Sequence, residues 1–518
     1  MVGSYSIVAT VNSAAAPSDD HVQRVGRGSS MNLAGAAAAA VLGILVSLVV
    51  ARLLPRTDVG IYFATTALVL IAASMARLGT PVGLVYWIAR LRTLGHAGQI
   101  GEVMRAALAP VVVLSVILAT TVAVTASWLS ENLLGGSDEA TRLLRTLAVF
   151  LPFVVLSDVL LGATRGFGTM RPTALIDRVT RPSLQLVFIM IAGSLAGLVA
   201  VGAGWVLPYV ITAAAALFWL RQLIQSAGTS TAPKAVSLRR SFWVFTWPRA
   251  VTSIIQQALQ RLDIILVSAL RSPAEAALYG IATRFLVVGQ LANSAVGLAA
   301  QPQVARLITG DRRDEANAVY RSTTTWVILL NGPLYLIVAA FSPLLLSLFG
   351  SQYVEAWPVT VAICVAAFFG NGAGMVDVML SMAGRTTWTL ANSVVALIVQ
   401  VTVDIALIPG WGAFGAAIGW GASILTANAL SLIQLSRADG LHPFGRATGA
   451  AVLFTVVGVG LPTVLAITVI GQTWWALALT LMIAAPLYSA LVWRARRPLH
   501  VEQLLEALRR EPHSRPAK

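Results

Sequence analysis

The chain has 518 residues, of which 57% are apolar and only 11% charged, and its formal net charge is +15. Soluble domains carry roughly a quarter charged residues, so this composition excludes an ordinary globular protein and makes the bilayer the solvent. The positive excess, which in a soluble protein points to nucleic acid, is accounted for here by membrane topology and contact with anionic lipid.

Residues 1–32 read as a disordered cytoplasmic tail. Their apolar part, Ser6 to Pro17, is interrupted by Asn12 and has no basic region before it, so it is no secretory signal. Met31 stands directly before the first apolar stretch, and a start site misassigned upstream is a second reading of this tail. A span needs about 20 mostly apolar residues to cross about 30 Å of hydrocarbon. Such stretches lie near 33–53, 60–78, 104–128, 146–164, 180–200, 203–222, 243–270, 277–305, 322–349, 356–383, 387–408, 412–436, 448–470 and 473–493. The expected fold is an all-α polytopic membrane protein of about 14 transmembrane helices.

Arginine and lysine counted segment by segment set the orientation. The tail and the stretches near 77–105, 165–181, 221–249, 306–321, 385, 437–446 and 494–518 hold 29 of the 36 basic residues. They are assigned to the cytoplasm, together with both termini, in a multi-pass protein of a bacterial cell (inner) membrane. Lysine occurs only at Lys234 and Lys518, a composition that fits a GC-rich bacterial genome. At the C-terminus Val501, Leu504, Leu505 and Leu508 recur at helical spacing beside Glu502, Glu506, Arg509 and Arg510, the pattern of an amphipathic helix on the membrane surface.

Little in the sequence supports chemistry. There is no G-x-x-x-x-G-K-[ST] phosphate loop. The acidic outward turn 129–143, with Glu131, Asp138 and Glu139, lacks the histidine or D-x-D partners of a metal site and reads as a solvated loop. One cysteine, Cys364, permits no internal disulfide or cysteine cluster. No cofactor or metal is expected, and the chain reads as a transporter rather than an enzyme.

An internal repeat organises the spans. Arg52-Leu-Leu-Pro-Arg-Thr-Asp-Val-Gly60-Ile-Tyr62-Phe-Ala64 follows the first, and Arg271-Ser-Pro-Ala-Glu-Ala-Ala-Leu-Tyr279-Gly-Ile-Ala282 follows the seventh. Gly168-Thr-Met-Arg171 in one half answers Ala383-Gly384-Arg385 in the other. The domain reading is an N-terminal six-helix bundle (33–224), a cytoplasmic linker (225–242), a C-terminal six-helix bundle (243–437), an extra helix pair (447–494) and a cytoplasmic tail (495–518).

Polar residues recur on single helix faces. In span seven Arg249, Ser253, Gln256, Gln260 and Asp263 follow steps of four, three, four and three, which confines them to one stripe. Thr386, Thr389, Ser393, Gln400 and Asp404 form a stripe in span eleven, and Tyr279, Thr283, Gln290, Asn293 and Gln301 form one in span eight. Helix-to-helix hydrogen bonding needs only a few such groups, whereas whole polar faces point to a wet cavity. Arg261 and Arg284 sit about 120° off their stripes at 100° per residue. Either their helices bend, as Pro248 permits, or they reach neighbouring helices. Pairing with Asp158, Asp263 or Asp377 is the alternative to substrate contact. Asp177 and Arg181, four apart, read as a helix-surface ion pair.

At these residues the chain resembles the multidrug/oligosaccharidyl-lipid/polysaccharide exporter superfamily and, within it, the bacterial polysaccharide-repeat and lipid II flippases. The resemblance covers about residues 33 to 490. It is carried by R-x-L-P-x-x-x-x-G-x-Y at Arg52 to Tyr62, Pro248 and Asp263 of span seven, Y-x-x-A-x-R at Tyr279 to Arg284, and Ile408-Pro409-Gly410-Trp-Gly-Ala-Phe-Gly415-Ala416-Ala417. The span count is similar to that of lipid II flippases. Their arginine-rich first span has no counterpart here, where Asn32 to Leu54 contains only Arg52, so another polyprenyl-linked glycan is the expected cargo.

The resemblance implies a flippase carrying a polyprenyl-diphosphate-linked oligosaccharide, a cell-surface or wall polysaccharide precursor, from the inner to the outer leaflet by alternating access. Arg249, Arg284 and Arg261 would hold the diphosphate. Gln256, Gln260, Asp263, Asn293 and Gln400 would meet the sugar. Expected partners are the lipid-linked glycan, membrane lipids, and the glycan polymerase and glycosyltransferases of the same pathway, with no nucleic acid. The rivals are a cation-coupled multidrug exporter, using Asp263, Asp377 and Asp404, and a membrane-embedded glycan polymerase or transferase.

Overall fold

Pro55, whose fixed φ suits a helix start, separates the first two helices of a chain whose described residues form helices and short turns, with no strand. The computed structural model describes residues 19–193, 197–226, 238–497 and 499. The N-terminal half comprises α1 (Asp19–Leu53), α2 (Arg56–Arg77), α3 (Thr80–Thr93), α4 (Ile100–Val124), α5 (Ala126–Leu133), α6 (Asp138–Gly166), α7 (Arg181–Gly193) after a π-helical turn (Thr173–Thr180), and α8 (Gly197–Ser226). The second half comprises α9 (Leu238–Leu270), α10 (Pro273–Ala282), α11 (Leu286–Thr309), α12 (Arg313–Ala340), α13 (Ser342–Ser347), α14 (Trp357–Gly372), α15 (Val376–Met382) and α16 (Thr386–Asp439). Then come α17 (Arg446–Thr455), a π-helical turn (Val456–Gly460), α18 (Leu461–Ile470) and α19 (Trp474–Arg494).

By length and composition ten of these helical segments can cross a membrane, or eleven with the bent pair Pro273–Gly297 and Ala300–Thr309 counted as one. Two features separate this tally from the fourteen stretches read in the sequence. The 54-residue α16 counts once, yet Gly412 breaks it at φ 55°, ψ −134°, a conformation that only glycine adopts readily. The legs then fold back on each other: Asn392 bonds Ser431 and Gln434, and Gly415 and Gly419 lie against Leu407 and Asp404. The second feature is the polar load of α7 and α9, which fall outside the tally.

Two readings of the ends of spans are corrected. The stretch 77–105 is not a plain cytoplasmic loop, because α3 buries Leu84, Ile88 and Leu91 against α6 and α9. Leu78 and left-handed Gly79 turn α2 into α3 without separating them, and Arg56–Thr93 counts as one 38-residue span. Helix also starts at Asp19, inside the stretch read as a disordered tail. The linker residues 227–237 and the amphipathic stretch from Val501 lie outside the described residues.

One apolar core runs from α1 through the N-terminal half and into α9, α10, α14 and α16, with smaller clusters under α12, α15, α17 and α19. The helix pair α2 and α3 is deeply buried, whereas α19 is mostly exposed at the periphery. Exposed Trp128, Trp357, Trp411, Trp474 and Trp475 gather at the end that the charge count assigns to the outside, where amphipathic rings prefer to sit.

At that same end the halves are clamped. Gly60 of α2 lies so close to α10 that a Cβ would overlap the Pro273 carbonyl, and Gly280 faces the Phe63 ring. Arg52 donates to the Leu348 carbonyl at 2.7 and 2.9 Å, and Arg56 donates to the Ala274 carbonyl at 3.1 Å and pairs with Glu355 and Glu275. Within the second half, Glu275 accepts from the Ala413 amide at 3.0 Å and Arg271 donates to the Pro409 carbonyl at 3.2 Å.

Candidate functional site

On α9 the two exposed faces differ in chemistry. Val244, Trp247, Pro248 and Val251 form an apolar exposed face, while exposed Gln256 and Gln260 point about 150° away from it at 100° per residue. Lipid suits the first face only, since an amide in hydrocarbon goes unsatisfied. Gln256 and Gln260 thus form a polar exposed face distinct from the apolar one. Gln256 also donates to Ser393 of α16 at 3.2 Å.

Five arginines approach one another where the halves meet. Arg77, at the end of α2, pairs with Asp158 of α6. Arg181 is held by Asp177 at 2.9 Å and donates to the Tyr209 hydroxyl at 3.1 Å. Arg165 lies within electrostatic reach of both aspartates. From the other half Arg261 lies within reach of Tyr209, Asp263, Arg77 and Arg181, and Arg284 within reach of Arg261 and Tyr62. Arg284, in a 3-10 turn (Thr283–Phe285), stacks 4.6 Å over Phe63 of α2 and donates to its own Gly280 carbonyl at 2.9 Å. So Arg284, at a break in its span, contacts the neighbouring α2, while Arg261 lies within electrostatic reach of groups on other helices.

Among the described residues, no carboxylate comes within ion-pair distance of Arg249, Arg261 or Arg284. The Arg261 Nε is buried without an acceptor. The aspartates proposed for them are engaged elsewhere: Asp158 by Arg77, Asp377 by the Ser431 hydroxyl at 3.1 Å, and Asp263 by the Tyr279 hydroxyl and the Ile264 amide. Arg249 lies apart, toward the other end of α9. Its guanidinium stands 3.6 Å over Phe245, which stacks at 4.1 Å on Tyr86 of α3.

The rest of the sequence-derived set is packed rather than open. Asn293 joins α11 to α12 and α14, donating to Asn371 at 3.1 Å and accepting from Asn331 at 2.8 Å. Gln400 is 0% exposed and donates weakly to the Leu259 carbonyl at 3.4 Å. Asp404, also 0% exposed, has no partner on either carboxylate oxygen and lies within reach of Asp263 and Tyr279. The stripe of span eleven thus faces α9 and its own returning leg. Arg77, Asp158, Arg165 and Tyr209 were missed as site residues. The available signal was an arginine and an aspartate at the inner parts of spans two and four.

An unpartnered buried carboxylate costs about 1–3 kcal/mol or more. Asp404→Asn is therefore expected to raise the melting temperature of the detergent-solubilised protein in cation-poor buffer. A fall would show that the carboxylate is satisfied by something bound there.

A cavity of about 770 Å³ lies elsewhere, between α12, α14 and the turn into α18, with a lining that includes Tyr335, Cys364, Phe368, Val457 and Leu461. Its wall is almost wholly apolar and carries none of the charged groups, so the arginine cluster is the candidate site.

The family model described as polysaccharide biosynthesis protein matches residues 25–308, more than half of the chain. A second model, MatE, matches residues 248–406. No curated protein matches the chain. Among solved structures, the lipid II flippase MurJ in an inward closed conformation superposes with a TM-score of 0.70 at 12% identity, over 89% of this chain and 98% of that one. An inward-facing multidrug resistance MATE family transporter gives 0.63 at 18%, over 77% and 94%. A transporter of the same superfamily from Pyrococcus furiosus gives 0.55 at 16%, over 81% and 97%. At such identities the likeness establishes the fold.

Proposed function

We propose that this chain, which belongs to the polysaccharide biosynthesis protein family of the multidrug/oligosaccharidyl-lipid/polysaccharide exporter superfamily, is a flippase for a polyprenyl-diphosphate-linked oligosaccharide. One observation carries the reading: Arg261 and Arg284 stand inside spans, where the halves meet, with no carboxylate paired to either among the described residues. An uncompensated charge at membrane depth costs between about 3 and more than 10 kcal/mol unless hydrated or paired. The five arginines of the cluster outnumber Asp158, Asp177 and Asp263, so it is built to receive an anion. A diphosphate supplies two or more charges and several acceptor oxygens to guanidinium donors, while Gln256 and Gln260 offer amides to sugar hydroxyls.

With its outward end clamped, the cluster takes cargo from the cytoplasmic side. The prenyl tail stays in hydrocarbon beside the helices. Rocking of the halves breaks the clamp at Arg56 and Gly60 and exposes the cargo outward. An inside-negative potential favours outward movement of a diphosphate by about 2.3 kcal/mol per charge per 100 mV. A glycan polymerase and glycosyltransferases of the same pathway are the expected partners.

A second reading, a cation-coupled drug exporter, draws on Asp404, whose bare carboxylate beside Asp263 suits a coupling cation. Deleting the gene separates the two. The flippase reading expects accumulated lipid-linked precursor and less surface glycan at unchanged drug sensitivity. Drug hypersensitivity with normal glycan content would sink it.

A further inference from the structure

We propose that Asp158 is a built-in counter-anion of the transport site, holding Arg77 while the site is empty and yielding it to the diphosphate of arriving cargo. The inference rests on the flippase reading above.

Three observations support it. First, the Arg77–Asp158 pair joins two helices, α2 and α6, and its side chains remain 22% and 29% exposed at span depth. The pair is therefore not fully sealed by protein. Second, Asp158 also lies within electrostatic reach of Arg165 and Arg181. Asp158 thus lies among three guanidinium groups, with Asp177 as a second carboxylate within reach, a cationic setting that suits a phosphate group. Third, the other two aspartates of the cluster are tied differently: Asp177 pairs with Arg181 one helical turn away on the same segment, so the two move together, and Asp263 accepts from the Tyr279 hydroxyl and the Ile264 amide.

The physical reason for such a device is the cost of the empty state. A guanidinium left unpaired at span depth is expensive, and so is breaking its ion pair with nothing to replace it. Exchange of one anion for another avoids most of that cost. The same carboxylate, once displaced, repels the diphosphate and weakens its hold. Asp158 thereby lowers cargo affinity and speeds release, as passage through a site demands binding that can be undone.

The test measures binding of farnesyl diphosphate to purified protein in detergent at fixed ionic strength. Asp158→Asn, which removes the competing charge, is expected to bind about tenfold more tightly than wild type, and Asp158→Glu to stay near wild type. Arg77→Gln, which leaves Asp158 to repel the ligand, is expected to bind most weakly, with Arg77→Gln/Asp158→Asn between it and wild type. Should Asp158→Asn not fold, that last comparison decides alone. Weaker or equal binding by folded Asp158→Asn, or Arg77→Gln binding as well as the double variant, overturns the inference and leaves the cargo reading standing. No saturable binding by wild type takes the cargo reading down and this inference with it.

Discussion

Arg284→Ala is expected to abolish transport of lipid-linked glycan in proteoliposomes while leaving the protein folded. The side chain's contacts are a bond to its own helix carbonyl and the face of Phe63, and a cation over a ring contributes about 0.5–2 kcal/mol. The melting temperature should therefore not fall. Cargo loses far more: truncating one partner of a desolvated charge pair costs about 2–5 kcal/mol, a loss of roughly thirtyfold or greater in affinity. Arg261→Ala should behave alike. Lysine at either position keeps the charge but forfeits the planar fork, and should restore only part of the rate. Undiminished transport in both alanine variants would remove these arginines from the site.

Gly60→Ala is expected to shift the protein away from the outward-sealed state. The added Cβ would overlap both atoms of the Pro273 carbonyl, and main chain cannot rotate aside as a side chain does. Overpacking of this kind costs about 1–3 kcal/mol, enough to change a two-state ratio by roughly five- to 150-fold. At Gly83, toward the other end, a Cβ would meet the Thr246 hydroxyl, a side-chain atom rather than main chain. Gly83→Ala should therefore do less. In a Cys364→Ser background, a cysteine at Ser268, buried at the sealed end, should react faster with a membrane-impermeant maleimide when Gly60 is alanine. Identical labelling and stability would show that the glycine contact seals nothing.

Much of this architecture is legible in the sequence, because apolar length and arginine placement answer to the bilayer directly. Pattern is silent on what a face meets. The periodicity that groups Thr389, Ser393, Gln400 and Asp404 is the same whether they border water or a neighbouring helix, and here the hairpin turn at Gly412 folds a second leg against them. Asn293 likewise shares a stripe with Gln290, yet bonds two asparagines of adjacent helices. Arg77 was hidden by its position: it ends an apolar run, where a basic residue reads as a topology signal. The left-handed pair Leu78 and Gly79 made α3 look like loop. Within the R-x-L-P-x-x-x-x-G-x-Y turn, by contrast, the contact made by each fixed residue is plain. Arg52 holds the Leu348 carbonyl, Pro55 starts α2, Gly60 lies against Pro273, and Tyr62 stands beside Arg284.

The layered contact of Arg249, Phe245 and Tyr86 bears on how the halves can move. Attraction between stacked rings varies gently with lateral offset, so the Phe245–Tyr86 contact itself tolerates a small slide. The Arg56 carboxylate contacts and the Gly60 approach have no such tolerance, since directed bonds weaken steeply with misalignment. Parting the halves at the outward end therefore requires those directed bonds to break, whereas the rings of Phe245 and Tyr86 can stay in contact through a small slide.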